Sequence, residues 1–134
     1  MNASEKSLWI QLVAAGLAFA VAFILIPWFG DRAVGGFAVM AIGGIAGLVV
    51  GRKGVVVDER DLAIQKAAIN IGWRVACWIL FAGLLLLIGG YLGIQAVAKS
   101  HLTWLVWIAA TAALLTKGLI GVNAYRKDRR ASQS

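Results

Sequence analysis

The sequence has one cysteine, one histidine and one proline, and only 14% of its residues are charged. A single thiol, Cys77, excludes an intrachain disulfide. With no second histidine and no second cysteine, the sequence falls short of the three or four protein ligands of a catalytic or structural zinc-type site. Only six residues are acidic: Glu5, Asp31, Asp58, Glu59, Asp61 and Asp128. None lies inside a long apolar run, which disfavours proton coupling through an embedded carboxylate, the mechanism of small multidrug exporters of similar size. No nucleophile–base pair, phosphate loop or carboxylate dyad is apparent, so the sequence reads as non-enzymatic, without a cofactor. So few charges also leave too little polar surface to cover a water-soluble domain of 134 residues.

What is present is apolar residues in long runs. They make up 61% of the chain, and mean hydropathy is +0.85. A bilayer core of about 30 Å takes about 20 helical residues. Four segments fit, at about 8–27, 33–50, 75–97 and 102–124, and none alternates as a membrane barrel strand would. The expected fold is all-α: a single integral membrane domain over 1–134, built as a four-helix transmembrane bundle. A cytoplasmic amphipathic helix at about 58–74 is expected to lead into the third span, either continuously or with a bend at Gly72.

The net charge of +7 would suit nucleic acid, but the basic residues flank the apolar runs. Arg52, Lys53, Arg60, Lys66 and Arg74 lie between runs two and three, and Arg126, Lys127, Arg129 and Arg130 follow run four. The other two connections carry only Arg32 and Lys99. By the positive-inside rule both termini face the cytoplasm, and nucleic acid is not the expected partner. Anionic lipid meeting Arg60, Lys66 and Arg74 is the alternative to a protein partner for the segment between runs two and three. Trp9, Trp73, Trp78 and Tyr125 fall near one expected boundary and Trp28, Trp104 and Trp107 near the other, as interfacial aromatics do. The small-residue motifs near Ala20 are weak as a signal-peptide cleavage site, because apolar sequence continues past them; run one is expected to stay as a span.

Pro27 is expected to end the first helix. Gly43, Gly47 and Gly51 recur every four residues and share one face, as do Ala14, Ala18 and Ala22; Gly89 and Gly93 form a further small pair. Packing within the chain is the favoured use of these stripes, and a seam between copies in a homo-oligomer is the alternative. Ser100 is placed to cap the fourth span, and Cys77 is expected to be a packed thiol.

The segment from Val55 to Arg74 separates the two apolar halves. Asp58 suits an N-cap, Glu59 and Asp61 suit the positive end of a helix, and Val57 and Leu62 have hydrophobic-staple spacing. Leu62, Ile69 and Ala76 form an expected apolar stripe, with Glu59, Lys66 and Asn70 on another face. The acidic trio is read as a solvated helix start rather than a cation site. A passive turn between antiparallel spans needs only a few residues. The length of this one makes Asp58, Glu59, Arg60, Asp61 and Lys66 candidates for docking a cytoplasmic protein partner. Lys117 is the one charge inside an apolar run, nine residues before Arg126 or about 13 Å along a helix. It either snorkels to the boundary or lines a polar cavity that takes an anionic lipid head or substrate.

The pattern Asp58-Glu59-Arg60-Asp61-x-x-Ile64-x-Lys66-Ala67-Ala68 ahead of a span resembles an uncharacterised family of small prokaryotic membrane proteins with several spans and an Asp-Glu-Arg-acidic signature. The likeness covers about 55–90 in motif and the rest in span pattern. Genome neighbourhoods in that family include helix-turn-helix regulators, which implies a regulatory role in the prokaryotic plasma membrane; no activity or catalytic residue is implied. Two functions follow as expectations: an interaction or regulatory subunit, or a small oligomeric transporter or channel.

Overall fold

The computed structural model describes residues 3–52, 58–90 and 98–133. Among them the chain is all-helical: α1 (Ala3–Phe29), a 3-10 stretch (Gly30–Phe37), α2 (Ala38–Arg52), α3 (Glu59–Gly90) and α4 (Lys99–Ala131). Three stretches are long and apolar enough to cross a membrane, Ser4–Ala46, Glu59–Gly89 and Lys99–Ala131.

The first of these folds back on itself. Pro27 does not end α1, which runs on to Phe29; so near the end its missing N–H costs only one bond in a fraying turn. The reversal comes at Gly30, whose φ of 54° is open chiefly to glycine. The 3-10 stretch then returns the chain until Gly36 meets Ala22, where a Cβ would stand 2.8 Å from backbone atoms. Gly43 sits against Ala14 further down. Ala14, Ala18 and Ala22 are buried, so this small stripe is an intramolecular seam between α1 and α2. The side-chain surroundings of Gly47 and Gly51 and all of Gly93 fall outside the described residues, and Gly89 faces open space.

The helices form a row in the order α2, α1, α4, α3, with α1 packed along α2 and α4, and α4 along α3. At one end the row is thickened by Phe37, fully buried between Phe19, Trp104 and Trp107, with ring centroids 5.8–6.0 Å apart. Trp104 and Trp107 are thus partly buried packing residues. Nearby, the buried Thr111 hydroxyl donates to the Trp107 carbonyl at 2.7 Å, the usual way a helix interior satisfies threonine. α4 begins at Lys99 with Ala98 in the N-cap place, so Ser100 lies inside the first turn and is not the cap.

α3 is a single helix of 32 residues. The helix expected at 58–74 is its first half, continuous with the third apolar run and unbroken at Gly72. A Cβ there would lie 2.7 Å from the Ala113 carbonyl oxygen, so this glycine lets two backbones approach. The inward face of α3 is Asp61, Ala68, Gly72 and Ala76. Of the expected stripe Leu62, Ile69 and Ala76, Ala76 lies on it, whereas Leu62 and Ile69 are exposed. Cys77 is exposed too, since one residue along a helix turns about 100° away from the packed face. The inversion has one cause. In hydrocarbon, large side chains gain nothing by turning inward, whereas small ones gain close packing.

Large apolar side chains accordingly cover the outside: Ile24, Ile42, Trp78 and Leu86 are each at least 66% exposed. In water so large an apolar surface would drive association. Here it is the face that meets lipid.

Candidate functional site

Three helices converge at the end of the row opposite Phe37: the start of α1, the start of α3 and the last turns of α4. Leu8, Val122 and Tyr125 form a small buried core there, with Ile64 and Trp9 against it. Polar side chains surround this core, and each connects two helices. The Tyr125 hydroxyl donates to Asp61 Oδ1 at 2.7 Å. Arg129 donates to Glu5 Oε2 at 2.6 Å. Arg60 pairs with Asp128, and the Arg126 guanidinium stands over the Trp9 ring at 5.3 Å.

Local spacing builds the knot. Tyr125, Asp128 and Arg129 stand three and four residues apart on α4, so one face presents all three. Asp58 directly precedes α3, and the Leu62 amide donates to its carbonyl at 3.2 Å, the backbone pattern of a first helical turn. That start turns Asp61 inward. Asp61 and Glu5 are both about 5% exposed, so each carboxylate needs a charge-assisted hydrogen bond to offset lost hydration, worth about 1.5–3 kcal/mol. Arg60 and Arg129 keep more than half their side chains in solvent, so their pairs contribute less as ion pairs.

The five residues expected to dock a partner are therefore divided. Asp61 is spent on Tyr125 and Arg60 on Asp128; Asp58, Glu59 and Lys66 remain exposed. Glu5, Tyr125, Asp128 and Arg129 were not anticipated at this site. A signal for them existed: Glu5 and Asp128 are acids outside every apolar run, in a chain whose basic residues also gather at the run ends. Among the described residues no group of His, Cys, Asp and Glu could hold a metal ion.

Lys117 has a definite neighbourhood. Its Nζ donates to Gln11 Oε1 at 3.0 Å. Gly72 faces Ala113 and Lys117, and Gly118 and Gly121 take Leu12 and Leu8 of α1 against them. This register sets Lys117 level with Gln11 and with Gly72, two residues before Arg74. Beyond that level α1 has no charged residue from Leu12 to Gly30, and α3 none from Val75 to Gly90. Lys117 thus lies where the uncharged stretch of α3 begins and about one helical turn inside that of α1, which starts at Ser7.

Long apolar helices with outward-facing large side chains and inward-facing small ones define an integral membrane protein. The chain belongs to a family described as "Predicted membrane protein (DUF2178)", whose model matches residues 4–126. This agrees with the likeness to an uncharacterised membrane family. No curated protein and no solved structure matches the chain.

Proposed function

We propose that this protein is a non-enzymatic interaction or regulatory subunit of a prokaryotic plasma membrane, presenting the start of α3 to a cytoplasmic partner. The observation that carries the reading is the double anchoring of that turn. Asp61 to Tyr125 and Arg60 to Asp128 tie it to α4, which leaves Asp58, Glu59 and Lys66 exposed on a fixed support. A preorganised charged surface loses less entropy on binding than a loose linker does. The Asp-Glu-Arg-acidic pattern supplies both the anchoring and the exposed residues.

In this reading each arm of the α1–α2 hairpin crosses the bilayer, making four crossings with α3 and α4, and the polar knot lies in the cytoplasm. The boundary passes at the level of Gln11, Arg74 and Lys117, in keeping with the basic residues on that side. A reporter fused after Ser134 should report the cytoplasm and one inserted at Asp31–Arg32 the opposite side; an external signal at Ser134 would overturn the topology.

Docking is tested by neutralising the exposed acids alone. Asp58→Asn with Glu59→Gln keeps a capping side chain at the helix start and should weaken a basic partner by about tenfold, most strongly at low salt. Unchanged affinity for every co-purified partner across salt concentrations would remove the docking role.

A further inference from the structure

Where α3 and α4 meet on the outside of the row, small residues leave a trough of about 500 Å³. Gly72 and Ala76 from α3 and Ala110 and Ala113 from α4 line it, Trp73 stands beside them, and Lys117 lies at the charged end. From Ile69 to Leu80 it follows α3 for about 16 Å. Its lining is almost wholly apolar along its length, with the one ammonium at Lys117, which suits a molecule with a hydrocarbon chain and an anionic head. Trp73 also borders a second, shallower depression, lined by Arg74, Cys77, Trp78 and Phe81.

Lys117, which lines the trough, has no acidic counterpart among the described residues. Among the described residues the ion pairs are Arg60–Asp128 and Arg129–Glu5, and Lys117 donates to the neutral amide of Gln11. An ammonium carries three donors, so at least one further acceptor can be taken. Arg74 is exposed on the far side of Trp73.

We infer that the trough is a binding site for one anionic phospholipid of the leaflet at the charged end. One acyl chain lies along Gly72, Ala76, Ala110 and Ala113, and the headgroup phosphate meets Lys117, with Arg74 on the other flank of the Trp73 indole. The assignment rests on the membrane boundary proposed above and is independent of any protein partner. It makes Lys117 a lipid-headgroup ligand rather than a charge merely tolerated near the apolar core.

The test uses the full chain in nanodiscs of equal phosphatidylglycerol and phosphatidylcholine, followed by transfer to mild detergent and quantification of retained lipid by native mass spectrometry. The parent should retain one lipid, with phosphatidylglycerol favoured about fivefold, the size expected for one basic side chain meeting anionic lipid. Lys117→Gln should bring the ratio near parity, and Lys117→Arg should keep it. Ala110→Leu, which fills the trough, should lower retention of both lipids. Lys127→Gln, exposed and remote from the trough, should change nothing. Helical content and melting of each variant are followed so that a misfolded one is recognised, and the Arg variant then carries the comparison. An undiminished preference in Lys117→Gln, an equal loss in Lys127→Gln, or lipid-free dimers of the parent would each overturn the site.

Discussion

Tyr125→Phe is expected to destabilise the protein by about 1–3 kcal/mol although it removes a single oxygen atom. The Tyr125 hydroxyl donates to Asp61 Oδ1 at 2.7 Å, and Asp61 is 5% exposed. Without the donor, a buried carboxylate loses its charge-assisted bond while water stays largely excluded. The cost is then the desolvation of an unpaired acceptor, not merely one neutral hydrogen bond. Asp61→Leu in the Tyr125→Phe background should recover part of the loss, since removing both polar groups leaves nothing unsatisfied. A double-mutant cycle by unfolding in mixed micelles reads this directly. Additive losses would mean that Asp61 finds another partner when Tyr125 is cut back. The expected coupling also makes the knot a structural requirement of the surface beside it: loosening Tyr125 should increase hydrogen exchange over the first turn of α3.

Gly72→Ala should be the most damaging single-methyl change in α3. The new Cβ would lie 2.7 Å from the Ala113 carbonyl oxygen, a backbone atom that cannot turn aside. α3 packs mainly on α4, so the helices would have to separate, at a cost of about 1–3 kcal/mol or more. Gly72→Leu should separate them further and abolish the trough. Gly89→Ala is the matched control. It lies in the same helix with nothing within 4 Å, so it should be neutral or stabilising by up to about 1 kcal/mol through helix propensity. Thermal melts of the two variants in one detergent give the comparison; equal stabilities would show that α3 and α4 do not approach closely at Gly72.

These two predictions fall on residues that one-dimensional reading treated unevenly. Asp61 stood out by charge and position but was grouped with Asp58 and Glu59 as part of an exposed surface. The face it occupies depends on the helix start and on a tyrosine 64 positions further along. Gly72 looked like a weak point in a helix because glycine lowers propensity, and that property is local. Its use, a close approach to Ala113, is not. Gly43, found from four-residue spacing, does lie at a seam, whereas Gly89 shows the same kind of spacing and faces open space. Spacing states which residues share a face; it does not state whether a helix lies against that face. Cys77 was misplaced for a related reason, because an apolar neighbourhood in sequence was equated with burial.

Composition and run length by themselves determined that this protein is an all-helical membrane protein. Water cannot solvate so many apolar side chains, and a bilayer admits their backbone as helix with every amide satisfied internally. They also determined where its charges gather, because a charge within the hydrocarbon is costly and is driven to the ends of the runs. Only the tertiary structure decided the order α2, α1, α4, α3, the inward turn of Asp61 onto Tyr125 and the placing of Lys117 beside Gln11. In lipid, large apolar side chains do not prefer the interior, so hydrophobic periodicity loses its usual power to mark the buried face. The choice passes to small-residue fit and to a few polar pairs, and both depend on which helices meet and in what register.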